Sequence, residues 1–155
     1  MAGTSPTLES LNLNDLKGKK VAIIAAQWHP EICNNLVLGA ELIFKSAGIT
    51  YEVTTVSGSF ELPLAAQMKL DQGFDGAVVL GLVMRGDTAH FDYICEGVTS
   101  GVMQVSLSRS KPVGFGVLMC DNLQQAIDRS KPALAIGNKG EEAALAVLAL
   151  WNLNN

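Results

Sequence analysis

The stretch GAVVLGLVMRGDTAHFDY, residues 76–93, joins two different kinds of chain. Its first nine residues, Gly76 to Met84, are apolar without interruption. A run that short and that continuous reads as a strand covered on both faces, because a half-exposed strand would alternate. From His90 onward, Phe91, Ile94, Cys95, Val98, Val102 and Val105 recur at helical spacing. Between the two lie Arg85, Gly86, Asp87 and Thr88, which the packing of a core does not require. A buried strand, a polar turn and a helix make the opening of a βαβ unit.

The same alternation continues in both directions. Upstream, VAIIAAQW (21–28) is a buried-strand run, followed by a helical segment from Pro30 to about Ala47 that Gly48 ends. YEVTTVSG (51–58) reads as a strand and ELPLAAQMKLDQG (61–73) as a helix with a glycine stop. Downstream, PVGFGVLMC (112–120) is a further strand. Asp121 with Gln124, and Asn138 with Glu141, have N-cap and N3 spacing and open two last helices, the second running to about Leu153. Near-continuous strands alternating with helices imply a parallel sheet with helices on both faces. With right-handed crossovers this is an α/β, flavodoxin-like three-layer sandwich on four parallel strands. Residues 1–18 read as a flexible N-terminal arm, in which Leu8 to Leu13 alternate and could add a strand to a neighbour; residues 19–155 read as one domain.

Bulk numbers narrow the class. The 155 residues suffice for one core, and 48% are hydrophobic against 17% charged, a packed composition rather than a disordered one. That is apolar for a small monomer and points to surface covered by other subunits. A net charge of −4 with no basic stripe argues against nucleic acid as a partner. Cys33, Cys95 and Cys120 are scattered with no C-x-x-C, so neither a zinc site nor a redox pair is expected. No apolar run reaches the length of a membrane span, and the N-terminus has no apolar core of a signal peptide. The expectation is a cytoplasmic protein with no metal and no organic cofactor.

In a doubly wound sheet, ligands bind beyond the carboxyl ends of the strands. Four segments fall there: Gln27 to His29, Ser57 to Glu61, Met84 to His90, and Met119 to Asn122. RGDTAH (85–90) leads into a helix N-terminus, where free N–H groups favour a phosphate. Gly86 permits close approach and Thr88 adds a hydroxyl, while Asp87 counts against an anion unless only its N–H is used. Glycine turns with a capping threonine are equally common where nothing binds. His90 can exchange protons near neutrality, yet a lone histidine at a helix start is more often a solvated surface residue. His29 takes that bland reading. Trp28 offers a face for a planar heterocycle, or plugs the core edge. Phe60 and Glu61 offer an aromatic wall and an acceptor, or decorate a first helical turn. Arg129 sits on a polar helix face, and Lys139 opposes the dipole of the helix it opens, which favours an anion or carbonyl nearby.

GSFELP (58–63), VMRGDTAHFDY (83–93), PVGFGVL (112–118), QAIDRS (125–130) and GNKG (137–140), in this order, resemble the lumazine synthase family from about Val21 to Leu153. The resemblance implies condensation of 5-amino-6-(D-ribitylamino)uracil with 3,4-dihydroxy-2-butanone 4-phosphate, the penultimate step of riboflavin biosynthesis. It implies Trp28 stacking on the pyrimidine ring, and Ser59, Phe60 and Glu61 holding the ribityl chain. It further implies Val83 and Met84 reading the pyrimidine edge through backbone, and Gly86, Asp87 and Thr88 forming the phosphate loop with Arg129 as cationic partner. His90 becomes the proton-transfer residue, and Phe115, Arg129 and Lys139 come from the adjacent subunit. The implied partners are the two substrates, further copies of the chain and riboflavin synthase. RSKPALAIGNKG (129–140) is longer than the connection of icosahedral relatives, which tilts the expectation toward a homopentamer over a sixty-subunit shell. The rival readings are a flavin- or lumazine-binding module without turnover and a cage-forming protein. A receiver domain lacks its acids in AAQWHP and GLVMRG, and AQWHPE is not the hydroxyl-rich loop of a flavodoxin.

Overall fold

A computed structural model describes residues 6–132 and 136–153. Four strands, β1 (Lys20–Ala26), β2 (Thr50–Val56), β3 (Gly76–Met84) and β4 (Val113–Cys120), form one sheet in the order β2-β1-β3-β4, every pair parallel. Among the described residues five α-helices connect and cover them: α1 (Pro30–Ala47), α2 (Leu62–Asp71), α3 (His90–Arg109), α4 (Leu123–Arg129) and α5 (Lys139–Asn152). This is the α/β sandwich expected of the alternating pattern.

The period of two along each strand divides the core into two halves. Val21, Ile23 and Ala25 of β1 and Val78 and Leu80 of β3 face α1, α4 and α5, packing on Leu36, Phe44, Ala126 and Leu148. Ala22 and Ile24 of β1 and Ala77 and Val79 of β3 face α2 and α3, packing on Leu62, Leu70, Val98 and Val102. Strands buried on both faces therefore need continuous apolar sequence, which is why β1 and β3 were legible. β2 departs from that rule: it is an edge strand, and most of its residues are exposed or half-buried.

Helix starts and close approaches follow local chemistry. Pro30 occupies the first turn of α1, where its missing N–H costs nothing, and Gly48 closes that helix at φ 70°. Asn138 caps α5 as expected, its Oδ1 accepting from the N–H groups of Gly140 (2.8 Å) and Glu141 (3.1 Å). Gly140 lets α5 approach α1 closely, since a Cβ there would run into the Leu36 backbone. The cap of α4 differs from expectation by one residue: Asn122, not Asp121, accepts from Gln125 N–H at 3.0 Å. The physical reason is competition, because the Asp121 carboxylate is held by Arg85 Nε at 2.6 Å.

Residues 1–5 of the expected arm lie outside the described residues. Leu8 to Leu13 do not form a strand. Leu8–Ser10 and Leu13–Leu16 are short 3-10 turns, with Leu16 fully buried and Leu8, Leu11 and Leu13 packed on the α1/α5 side of the core. Asn12 N–H donates to Asn152 Oδ1 at 3.2 Å, and Asn152 Nδ2 donates back to the Asn12 carbonyl at 3.0 Å. Leucines at 8, 11, 13 and 16 find a hydrophobic seam within their own chain.

Candidate active site

Because all four strands run the same way, their carboxyl ends share one rim, with Ala26 beside Val56 and Met84 beside Cys120. A cavity of about 450 Å³ opens on that rim. The turn after β1 contributes Trp28 and His29, and the turn after β2 contributes Gly58, Ser59, Phe60 and Glu61. The end of β3 contributes Leu82, Val83 and Met84, the following turn Gly86 and Thr88, and the start of α3 His90, Phe91 and Ile94.

Several of these side chains are placed by identifiable contacts. A Cβ at Gly58 would stand 3.2 Å from Glu61 Oε2 and 3.3 Å from Trp28 Nε1, so both side chains close over that glycine. Trp28 is 67% exposed, an indole presented to the cavity rather than packed in a core. Behind it the Cys33 thiol donates to the Trp28 carbonyl at 3.2 Å, and burial pushes that thiol up to about 11. Ser59 is buried, and its Oγ has no hydrogen-bond partner among the described residues. A buried hydroxyl without a partner is costly, and here it borders the cavity where a ligand hydroxyl could satisfy it. Gly81 of β3 leaves the room, since a Cβ there would stand 2.5 Å from Ser59 Oγ. The Phe60 ring lies on α3 opposite Gly97, where a Cβ would be 3.0 Å from it. Thr88 Oγ1 accepts from His90 N–H at 3.3 Å, which ties the turn to the helix start.

Not every expected residue reaches this cavity. Asp87 is exposed beside it and is not part of its wall. Phe115, Arg129 and Lys139 lie elsewhere, lining a separate cavity of about 210 Å³ with Gly116 to Met119 of β4. Arg129 and Lys139 are neighbours because Ser130 and Asn138 form an antiparallel bridge between them. Asn138 Nδ2 secures that loop through the carbonyls of Asn35 (2.9 Å) and Lys131 (2.7 Å). Arg129 Nη1 donates to the Gln125 carbonyl at 2.9 Å, and Lys139 pairs with Glu142 at 2.6 Å. Within one chain, then, the residues form two groups on two surfaces. A larger cavity of about 710 Å³ lies at the opposite rim. There Lys111 Nζ is taken by the carbonyls of Leu70 and Phe74, and Trp151 Nε1 by that of Asp75. Among the described residues no group of three or more His, Cys, Asp or Glu side chains could hold a metal ion, and no helix is long and apolar enough to cross a membrane.

An aromatic, a buried free hydroxyl, a glycine-threonine turn and a histidine thus meet on one rim. A family model described as 6,7-dimethyl-8-ribityllumazine synthase matches residues 18–155. The chain belongs to the lumazine synthase family. A protein of that name from Streptomyces coelicolor is 45% identical over 146 residues, covering 94% of this chain and 89% of the relative. One from Paenarthrobacter aurescens is 47% identical over 148 residues, covering 94% and 91%, and one from Leifsonia xyli is 44% identical over 135 residues, covering 87% and 85%. Membership in the lumazine synthases sets aside the receiver-domain and flavodoxin readings of the sequence.

Sequence reasoning missed parts of the wall. His29 was given a bland reading, yet it borders the cavity from a left-handed conformation, φ 52° and ψ 67°, at the start of α1. Nothing in its residue type signals that geometry. Leu82 reads only as part of a continuous apolar run, and Phe91 and Ile94 only as periodic apolar positions, yet all three border the cavity.

Proposed function

We propose that the chain is a transferase that condenses 5-amino-6-(D-ribitylamino)uracil with 3,4-dihydroxy-2-butanone 4-phosphate, giving 6,7-dimethyl-8-ribityllumazine, phosphate and water. The observation that carries this reading is the rim cavity joining Trp28, Ser59, Glu61 and His90 in a chain of this family. Trp28 stacks on the pyrimidine, and the backbone of Val83 and Met84 meets its edge. Ser59 Oγ, Glu61 and the Phe60 wall take the ribityl chain. Gly86 and Thr88, with the backbone of Asp87, cradle the phosphate.

The chemistry suits these groups. The 5-amino nitrogen attacks the ketone carbon, and loss of water leaves an imine. A proton leaves the adjacent carbon and the electron pair expels phosphate; the enol so formed takes a proton on its terminal carbon to become a methyl ketone, and the ribityl-bearing nitrogen attacks that ketone and closes the second ring with loss of another water. His90 carries protons between these steps as a general acid and base. The departing phosphate gathers charge that backbone N–H groups and a guanidinium stabilise. Much of the acceleration is the orientation of two reactive partners.

The cation group supplies what the cavity lacks. Phe115, Arg129 and Lys139 complete the site from an adjacent copy of the chain, in a ring that we read as a homopentamer. The length of the 129–140 connection favours that over a shell; residues 133–135 of it lie outside the described residues. In this reading the enzyme works in the cytoplasm, with riboflavin synthase as an outside partner. The test mixes purified protein with both substrates and follows lumazine absorbance and fluorescence. Product formation above the uncatalysed rate is expected. A tightly held yellow chromophore with no turnover would favour a binding module and overturn the enzyme.

A further inference from the structure

Arg85 is the charged residue nearest the turn that the proposed reaction leaves unused. It follows the last residue of β3 and precedes Gly86, yet it does not line the cavity. Its backbone N–H donates to the Cys120 carbonyl at 2.8 Å, extending the β3–β4 ladder by one bond. Its guanidinium reaches two carboxylates: Nε donates to Asp121 Oδ1 at 2.6 Å, and Nη1 stands 3.5 Å from Asp92 Oδ1. The same guanidinium lies over the Phe91 ring, 4.4 Å from its centroid. One side chain therefore ties together the end of β3, the turn after β4 and the first turn of α3.

Two roles are open to an arginine in this place, and the surroundings decide between them. A phosphate ligand would need spare positive charge. Here one cation faces two carboxylates, so the cluster sums to one negative charge and repels an anion. A brace would need several fixed contacts in different directions, which a planar guanidinium gives and an ammonium does not. Phe91 is the link to the site, because it carries the guanidinium and also forms cavity wall beside His90.

Resting on the condensation reading above, we infer that Arg85 is a positioning residue that never touches substrate. By clamping Asp121, Asp92 and Phe91 it holds the 86–89 turn and the first turn of α3 in one geometry, and so fixes where His90 meets the reacting atoms. A loosened His90 costs turnover and leaves binding nearly intact, because displacement of a reacting group by about 1 Å can slow a reaction up to about 100-fold.

The experiment compares Arg85→Gln, Arg85→Lys, Asp121→Ala and the Arg85→Gln/Asp121→Ala double variant with the parent. Steady-state kinetics for both substrates, inhibition by inorganic phosphate and the ring-proton NMR signals of the two histidines are recorded at one pH. Arg85→Gln should lower kcat by about 10- to 100-fold, with both KM values and phosphate inhibition within about twofold of the parent. Asp121→Ala should lower kcat in the same sense, the double variant should be no worse than Arg85→Gln alone, and Arg85→Lys should restore only part of the rate. The His90 ring signals should move in Arg85→Gln while those of His29 stay in place. A raised KM for the butanone phosphate with weakened phosphate inhibition and unchanged kcat would make Arg85 a ligand and overturn the inference. Unchanged kcat and unchanged His90 signals beside a lowered Tm would make it a structural brace only, and overturn it equally. If the parent forms no lumazine, the proposed reaction fails, and the His90 signals alone decide whether Arg85 positions that ring.

Discussion

In the proposed reaction Trp28, His90 and Arg129 carry separable roles, and each can be read by its own measurement. Trp28 is 67% exposed on the cavity and Trp151 only 9% exposed at the far rim, so a planar ligand should quench one indole and spare the other. Titration with riboflavin should quench the parent, and a Trp28→Ala protein that binds as tightly would refute the stacking role. His90 and Arg129 should fail differently. Arg129→Ala should weaken capture of the butanone phosphate by about 1.5–3 kcal/mol, the size of a charge-assisted hydrogen bond. His90→Ala should lower kcat with little effect on either KM, and by a modest factor if orientation supplies most of the rate. Equal KM effects from both would show that the roles are misassigned. Cys33 gives a pH dependence whose sign is fixed by its burial. The buried thiol keeps its proton up to about 11, whereas an ordinary thiol loses it near 9.0. Its contribution to stability is complete below about pH 9 and is lost as pH rises toward 11, so urea midpoints should fall over that window in the parent and less in Cys33→Ala.

At the scale of elements, what was legible in the sequence was what burial dictates directly. β1 from Val21 onward and β3 are covered on both faces, so those residues are apolar without interruption, and the strands stand out in the sequence. β2 is an edge strand with no fully buried residue and carries little of that pattern. The expected cap of α4, Asp121, gives way to Asn122. Only the fold reveals that Arg85 claims the first. The packing of the N-terminal leucines was not legible for a similar reason: their neighbours are polar, and the seam that buries Leu16 is built from distant elements. Asn138 was legible as a cap, but its second task was not. Its Nδ2 holds the carbonyls of Asn35 and Lys131 and so shapes the loop between Arg129 and Lys139. Asn138→Ala should therefore cost more than a cap alone. A lost cap is about 1 kcal/mol, and stranded carbonyls add about 1–3 kcal/mol. Urea denaturation should register about 2–4 kcal/mol, with Asn138→Asp recovering the cap portion only. A loss confined to about 1 kcal/mol would mean that the loop contacts contribute nothing.

At the scale of the molecule, the structure separates residues that the proposed reaction needs together. Trp28, Ser59, Glu61 and His90 share one cavity, while Phe115, Arg129 and Lys139 share another on the same chain. The first group could be anticipated from topology, since the carboxyl rim of a parallel sheet gathers the turns that follow its strands. The second could not, because no spacing rule relates a site on one chain to a surface that another copy presents; Lys139 stands out for opposing its own helix dipole, but a place on an adjacent copy is implied only by the family resemblance. Exposed apolar side chains give a physical motive for association. Phe60, Leu64 and Met68 on one side of the molecule, and Tyr93, Met103 and Leu107 along α3, are all more than half exposed. In the proposed ring of head-to-tail contacts the first cavity of each copy would meet the second of its neighbour, and the same composite site would repeat at every interface. Co-expression of His90→Ala and Arg129→Ala chains tests this most directly. If each site takes His90 from one copy and Arg129 from the next, random mixing leaves about a quarter of the interfaces intact. Lumazine formation by the mixed oligomer should then rise above that of either variant alone, toward about a quarter of the parent rate. A mixed oligomer no faster than the average of its two variants would mean that both residues act within one chain, and would contradict the composite site.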